Sequence, residues 1–410
     1  MDLFEKCTGF YNDPKVAQRY GYPTNVKTVQ QMGMFPYFIP IDHAEGPEVI
    51  IDGRRLLMIG SNNYLGLSND PRVKEAAIEA IRKYGTSCTG SRFLNGTLHM
   101  HIELEERLAK FVDLEAALVY STGFQVNLGS IPALMEAHDV LITDKEVHAS
   151  IIDGVRMAKV QKKTQTRRFK HNDPADLENV LKACPEEAGK LVAVDGVFSM
   201  GGDIARLPEI VPMCKKYGAR ILVDDAHSLG VLGGGRGTAH HFNVVRDVDL
   251  VMGTFSKSFA SVGGFIAGPK EVVHWIQIFS RPFIFSASLP PANVATVLAC
   301  LDIIEQEPER VERVNKIGKR VRRELTAMGY NIGDSQSPVV PIIIGDMMKV
   351  LKVWKTLYEA GIYANAALPP AVPPELSLLR TSYMATHTDA QIDRVLEIFH
   401  KLKGTLIDNA

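Results

Sequence analysis

The 410-residue chain is poor in several things that would settle its class at once. Its five cysteines (Cys7, Cys88, Cys184, Cys214 and Cys300) are odd in number and far apart, with no C-x-x-C pair. That suits a reducing compartment better than a disulfide framework or a zinc site. Neither sign of charge is in excess: 46 basic and 47 acidic residues leave a formal net charge of -1. A general nucleic-acid binder needs a broad cationic surface, so none is expected here. No apolar run approaches the roughly 18 residues of a membrane span. The opening MDLFEKCTGFYND has early acids and no apolar core, unlike a secretory leader, so a cytoplasmic protein is expected.

Familiar catalytic signatures are missing as well. Gly196-Val197-Phe198-Ser199-Met200-Gly201 has the wrong spacing for the nucleophile elbow of a serine hydrolase. Gly233 to Gly237 lacks the lysine of a phosphate-binding P-loop and reads as a turn. His99 with His101, and His240 with His241, have no third ligand at a metal-binding spacing, so no metal is expected.

What remains is an ordinary globular composition, 46% hydrophobic and 23% charged, in a chain too long for one simple core. Asp70-Pro71 caps a helix carrying Val73, Ala80 and Tyr84, and Gly85 stops it. A second helix is expected over Ile102 to Phe111. From there to about residue 265, short apolar runs alternate with helical patterns. Ala116–Tyr120 empties into Ser121-Thr122-Gly123, Leu191–Val194 ends at Asp195, Ile221–Val223 ends at Asp224, and Leu250–Met252 ends in a lysine-bearing loop. Continuous apolar strands between helices predict a mostly parallel sheet buried on both faces. After Pro290-Pro291 the texture changes to long amphipathic helices and a strand near Val339–Ile344, a smaller α+β domain. The expected division is an N-terminal segment 1–60, a large domain 61–292 and a small C-terminal domain 293–410.

Gly253 to Gly264, GTFSKSFASVGG, places one lysine, Lys257, among Thr254, Ser256 and paired glycines at the end of a core strand. A buried strand gains nothing in packing from such a lysine. A carbonyl cofactor gains a covalent anchor, with hydroxyls beside it for a phosphate. His148, Asp224 and His227 also follow strand ends. Pyridoxal phosphate (PLP) calls for this set: a lysine for its aldehyde, a carboxylate for its pyridine nitrogen, a flat side chain for its ring face, and a helix N-terminus for its phosphate. Read singly, each residue has a plain structural alternative, such as a cap, a packed histidine or a surface lysine. The case rests on the set.

The chain resembles the α-oxoamine synthases, enzymes that join an amino acid to an acyl-CoA with loss of CO2. The segments that carry the resemblance are SNNYLGL (Ser61–Leu67), YGTSCTGSRFLNGT (Tyr84–Thr97), STGFQVN, HASIIDG, DGVFSMGG (Asp195–Gly202), VDDAHSLG, GTFSKSFASVGG and LLRTSYMATHT (Leu378–Thr388). The resemblance implies a fold-type I, aspartate aminotransferase-like α/β fold and PLP as cofactor. It implies that Lys257 bonds the cofactor, Asp224 faces the ring nitrogen, His227 sits near the ring hydroxyl and His148 stacks on the ring. Gly123, Phe124, Thr254 and Ser256 would hold the phosphate, with Ser286 contributed from a partner subunit in a homodimer. Ser199 and Asn63 would line the site, and Arg380 would bind the substrate carboxylate.

Within the family, TGSRFLNGT and TFSKSFASVGGF look most like the bacterial members that condense L-serine with palmitoyl-CoA, a long-chain acyl-CoA, to 3-oxosphinganine. Members acting on glycine, alanine or cysteate share the cofactor residues and remain alternatives. A scaffold subunit would lack the lysine, and Lys257 is present. Some long-chain members carry an arginine where this chain has Leu368. The basic stretch Lys162, Lys163, Arg167, Arg168 and Lys170 reads first as a solvated face. CoA phosphates or an anionic inner-membrane surface are the alternatives it leaves open.

Overall fold

A computed structural model describes residues 2–406. By packing, the chain divides into two compact units. The larger comprises Asn63–Ser199 and Asp203–Arg313; the smaller comprises Met1–Asn62, Met200–Gly202 and Val314–Ala410.

The larger unit is built on a seven-stranded sheet. Its strands in chain order are β1 (Ala116–Tyr120), β2 (Val140–Asp144), β3 (Gln165–Phe169), β4 (Lys190–Asp195), β5 (Arg220–Asp224), β6 (Leu250–Thr254) and β7 (Gly264–Gly268). Their order across the sheet is β1-β7-β6-β5-β4-β2-β3. Every pairing from β6 to β3 is parallel; β7 runs antiparallel to both β1 and β6. β2, β6 and β7 are buried at every residue, as strands covered on both faces must be. Two apolar clusters do the covering. One gathers Val140, Val192, Val223 and Val251 with Leu207 and Ile210, and the other gathers Leu141, Ala193, Leu222 and Met252 with Val126 and Ile151. Alternate residues of the same strands thus serve opposite faces.

The expected strands are present, and three extend further than their apolar runs. The strand expected over Leu250–Met252 continues to Thr254 and so delivers the lysine loop directly. The helix after Asp70 spans Pro71–Tyr84, with the Asp70 side chain accepting the Arg72 N–H, and Gly85 ends it at φ +79°. The second helix starts earlier than expected, at His99, because the His101 Nδ1 accepts the Leu98 N–H and caps it. The basic stretch surrounds β3, the edge strand of the sheet. Cationic side chains on an exposed edge discourage pairing with another chain, which is reason enough for their presence. Among the described residues, no helix is long and apolar enough to cross a membrane.

The TGSRFLNGT segment is fastened by a buried, two-pronged ion pair. Arg92 Nη1 and Nη2 lie 2.8 and 3.0 Å from the two oxygens of Glu105, which also accepts the Val119 N–H of β1. Ser288 Oγ bonds the carbonyls of Gly90 and Gly96, closing the same loop.

The smaller unit packs the helices Met347–Glu359 and Asp389–Leu406 with a three-stranded antiparallel sheet of Val339–Ile343, Leu378–Ser382 and Asn365–Ala367. A four-stranded sheet adds His43–Glu45, Glu48–Ile51, Arg54–Met58 and Ile362–Tyr363. The core joins Leu57, Ile317, Val321, Trp354, Leu379 and Phe399, residues far apart in sequence.

A buried charge cluster stands behind β2. His171 lies 3.1 Å from Asp144 and 3.1 Å from Asp203, both carboxylates almost fully buried. Those two carboxylates raise its pKa to about 10 despite burial, which acts the other way. A histidine raised in the folded state stabilises fully below its unfolded pKa near 6.5, and that contribution disappears as pH rises through about 10. We expect His171→Gln to cost about 2–3 kcal/mol near pH 6 in denaturant unfolding, because two buried acids lose their cation. The gap from wild type should close by pH 10. A gap that stays constant from pH 6 to 10 would contradict the charge assignment.

Candidate functional site

The parallel strands β2, β4, β5 and β6 share one carboxyl-terminal edge, and there the chain leaves a cleft of about 280 Å³. Open α/β sheets place ligands at this edge. The cleft brings together eight of the residues singled out in the sequence: Gly123, Phe124, His148, Asp224, His227, Thr254, Ser256 and Lys257.

Asp224 ends β5 and is 3% exposed. Its Oδ2 accepts the Asn127 Nδ2–H at 2.6 Å, and its Oδ1 accepts the Ala226 main-chain N–H at 3.0 Å. A carboxylate so buried has its lost water replaced by these two donors. It is therefore equipped to face a cationic ring nitrogen. His227 is buried as well, its Nδ1 2.7 Å from the Tyr64 hydroxyl. His148 caps the helix Ala149–Lys162 and is exposed. Its ring centroid lies 6.2 Å from that of Phe124, edge to face at 72°. Although solvent reaches it, the protein atoms packed against its ring partly desolvate it and lower its pKa, as does the Lys257 charge, while Asp224 opposes the shift.

The helix Gly123–Leu134 points its N-terminus at the cleft, with Thr122 as cap accepting the Gln125 N–H at 3.2 Å. First-turn N–H groups have no acceptor within a helix and suit a phosphate. Across from them, Ser256 Oγ and Thr254 Oγ1 lie 3.0 Å apart, and Thr254 donates to the Gly263 carbonyl. Gly123 is required because a Cβ there would collide with the Thr254 side chain. Together these groups form a cup of hydroxyls and amides suited to a phosphate ester, with Lys257 beside it.

Four expected residues do not line this cleft. Asn63 donates to Ser68 Oγ at 2.8 Å, next to the Tyr64 that holds His227. Ser199 follows β4, two residues beyond the lining Val197. Ser286 Oγ accepts from Gln125 Nε2 at 2.9 Å in its own chain. Arg380 belongs to the smaller unit, buried on the strand Leu378–Ser382, with Nη1 donating to Asn62 Oδ1 at 3.0 Å. Leu368 is 4% exposed and lines an apolar seam with Tyr22, Val29, Tyr37 and Leu351. An arginine at that position would have to enter apolar surroundings.

Three residues escaped the sequence reading. Asn127 lies four residues after Gly123, on the same face of its helix, and that spacing was the available signal. Ser150 joins Asn127 to His148. Asp195, at the end of β4, is paired in register with Asp224 and accepts the His148 N–H at 3.2 Å. Burial and the Asp224 charge push its carboxyl well above the usual range.

The sequence model of the "Aminotransferase class I and II" family matches residues 54–399. The chain belongs to that family. Within it, the chain groups with the α-oxoamine synthases, as its motifs indicate. It is 47% identical to a serine palmitoyltransferase of Sphingobacterium spiritivorum, over 93% of this chain and 95% of the relative. It is 40% identical to an 8-amino-7-oxononanoate synthase of Thermoanaerobacter pseudethanolicus, over 92% and 95%. A solved serine palmitoyltransferase from S. paucimobilis with bound PLP and myriocin superposes with a TM-score of 0.92 at 37% identity, covering all of both chains. The fold is that of the fold-type I PLP enzymes, and the cofactor is PLP.

Gly123→Ala should weaken PLP binding by the cost of displacing Thr254, about 2–3 kcal/mol, or roughly 30–150-fold in Kd. Cofactor titration followed by absorbance checks it. Unchanged affinity would place the phosphate elsewhere.

Proposed function

We propose that the chain condenses L-serine with palmitoyl-CoA, releasing CoA and CO2 and forming 3-oxosphinganine. The observation that carries this reading is the single cleft that joins Lys257, a buried Asp224 and a phosphate cup, in a chain nearly half identical to a serine palmitoyltransferase. Bound PLP would supply an aldehyde that a lysine amine can bond and a ring that accepts the electron pair left when a bond to Cα breaks.

The protein's own groups do the rest. Asp224, which accepts hydrogen bonds from Asn127 and the Ala226 amide, would pair with the ring nitrogen and hold its proton. Gly123, Phe124, Thr254 and Ser256 hold the phosphate. His227 is held by Tyr64 for the ring hydroxyl. The Lys257 Nζ, in the cleft beside the phosphate cup, would take the proton from the serine Cα. The carbon so exposed attacks the thioester carbonyl, the C–S bond breaks, and CoA leaves. Loss of CO2 from the resulting β-keto acid and return of a proton to Cα complete the balance. Arg380 is assigned to the serine carboxylate, where a guanidinium fork gives two hydrogen bonds. Asn63 and Ser199 are assigned to the rim of the substrate site.

A homodimer is part of the reading. Phe93, Leu94 and Phe285 are 49%, 80% and 72% exposed, more apolar surface than a monomer gains from. Ser286, next to Phe285, would then stand where a second copy meets the first, and sedimentation at twice the chain mass is expected. Peripheral contact with an anionic membrane is a weaker reading, since Lys162 already pairs with Glu136 and Lys170 lies 3.9 Å from Asp176.

Lys257→Ala should abolish turnover and the visible absorbance that wild type acquires with PLP. In wild type, L-serine should change that absorbance at lower concentration than glycine, alanine or cysteate. A Lys257→Ala protein that keeps both properties would sink the cofactor assignment; preference for glycine or alanine would sink the choice of serine.

A further inference from the structure

Two buried side chains, Asn127 and Ser150, form a directed chain of hydrogen bonds from Asp224 to His148. Asn127 is fully buried, and its Nδ2 lies 2.6 Å from Asp224 Oδ2 and 2.9 Å from Ser150 Oγ. An amide nitrogen carries two hydrogens and no lone pair to offer. One hydrogen therefore goes to the carboxylate and the other to the serine oxygen. Ser150, 1% exposed, is left with its own hydroxyl hydrogen, and His148 Nδ1 is 2.7 Å from that oxygen. The Ser150 main-chain N–H also points at the same Nδ1, at 3.3 Å. A main-chain N–H can only donate. Two donors thus converge on one ring nitrogen, which must hold a lone pair rather than a proton.

We propose that Asn127 and Ser150 are positioning residues that fix His148 as the neutral imidazole with its proton on Nε2. Nδ1 is committed to the wall of the cleft, so Nε2–H is the group His148 can turn to an occupant. It offers a hydrogen-bond donor without a positive charge. A flat neutral ring covers an aromatic cofactor better than a charged one beside Lys257, and its N–H can steady a carboxylate or a thioester oxygen. That use rests on the condensation proposed above; the tautomer itself does not.

The packing around the ring agrees, while the charges that face it oppose one another. Facing His148 are the Lys257 amine from the loop after β6, the Asp224 carboxylate from β5 and the Asp195 carboxyl from β4, which accepts the His148 main-chain N–H. Desolvation by the atoms packed around it disfavours a second proton on the ring; Asp224 favours one, and Lys257 disfavours it. The two donors on Nδ1 add to the Lys257 side. Protonating Nδ1 would force the Ser150 hydroxyl to turn and leave the Ser150 N–H against a cation. A neutral ring breaks nothing.

The test is nitrogen NMR of 15N-histidine protein prepared without cofactor, with His148→Gln to assign the signal. At pH 7 wild type should show a bare Nδ1 and a protonated Nε2. Ser150→Ala removes the hydroxyl donor and should raise the His148 titration midpoint by about one pH unit, while Ser150→Thr should keep it near the wild-type value. The acid limb of kcat/KM for the amino acid should move upward with Ser150→Ala by the same amount. A proton found on Nδ1, or a Ser150→Ala midpoint equal to wild type, overturns the proposal. Because the spectra are taken without PLP or substrate, they are decided separately from the reaction. The expected tautomer in a protein that makes no long-chain ketone would uphold this proposal and defeat the substrate reading alone.

Discussion

A carboxylate at the end of a central strand, almost wholly out of water, is the constraint around which the larger unit is arranged. Asp224 sits at the tip of β5 with apolar residues behind it, so every charge-keeping partner must come from the protein. Asn127 arrives from the helix after β1, and the Ala226 amide comes from the turn that continues β5. Asn127 can reach it because its helix packs against the sheet with Gly123 at its N-terminus. The same helix start, with its free first-turn amides, is the one proposed for the phosphate. On the proposed reading, one helix placement would meet two demands of a single cofactor.

Much of this was legible in the order of residues along the chain. Strands buried on both faces read as continuous apolar runs, and in a parallel sheet the polar residue after each run lies at the ligand edge. Asp224 and Lys257 stood out for that reason. Asn127 and Ser150 did not, because their meaning arises where two helix starts meet across the sheet, and no local pattern records that meeting. Asp195 looked like any strand end. Only its register with Asp224 makes it a second buried acid in the cleft. β7, with glycine at both ends, gave no sign of running antiparallel to its neighbours. The association of residues 1–62 with 314–410 joins segments whose separation hides it from periodicity.

Some motifs of the resemblance turn out to be about support. TGSRFLNGT is held by Arg92, Glu105 and Ser288, with no member of it lining the cleft. Leu368 is explained by the apolar seam of the smaller unit, whose walls include Tyr22 and Tyr37. On the proposed reading, a chain with leucine there would leave carboxylate recognition to Arg380. An 8-amino-7-oxononanoate synthase at 40% identity stands not far below a serine palmitoyltransferase at 47%. The choice between amino acids and acyl chains lies outside the cofactor set.

The central claim is a reaction, and its product decides it most directly. The purified protein with PLP, given serine, glycine, alanine and cysteate together with acetyl-, pimeloyl- and palmitoyl-CoA, should yield 3-oxosphinganine as the dominant new mass, with CoA released in equal amount. A dominant short-chain aminoketone, a pimeloyl product or a sulfonated long-chain ketone would contradict it.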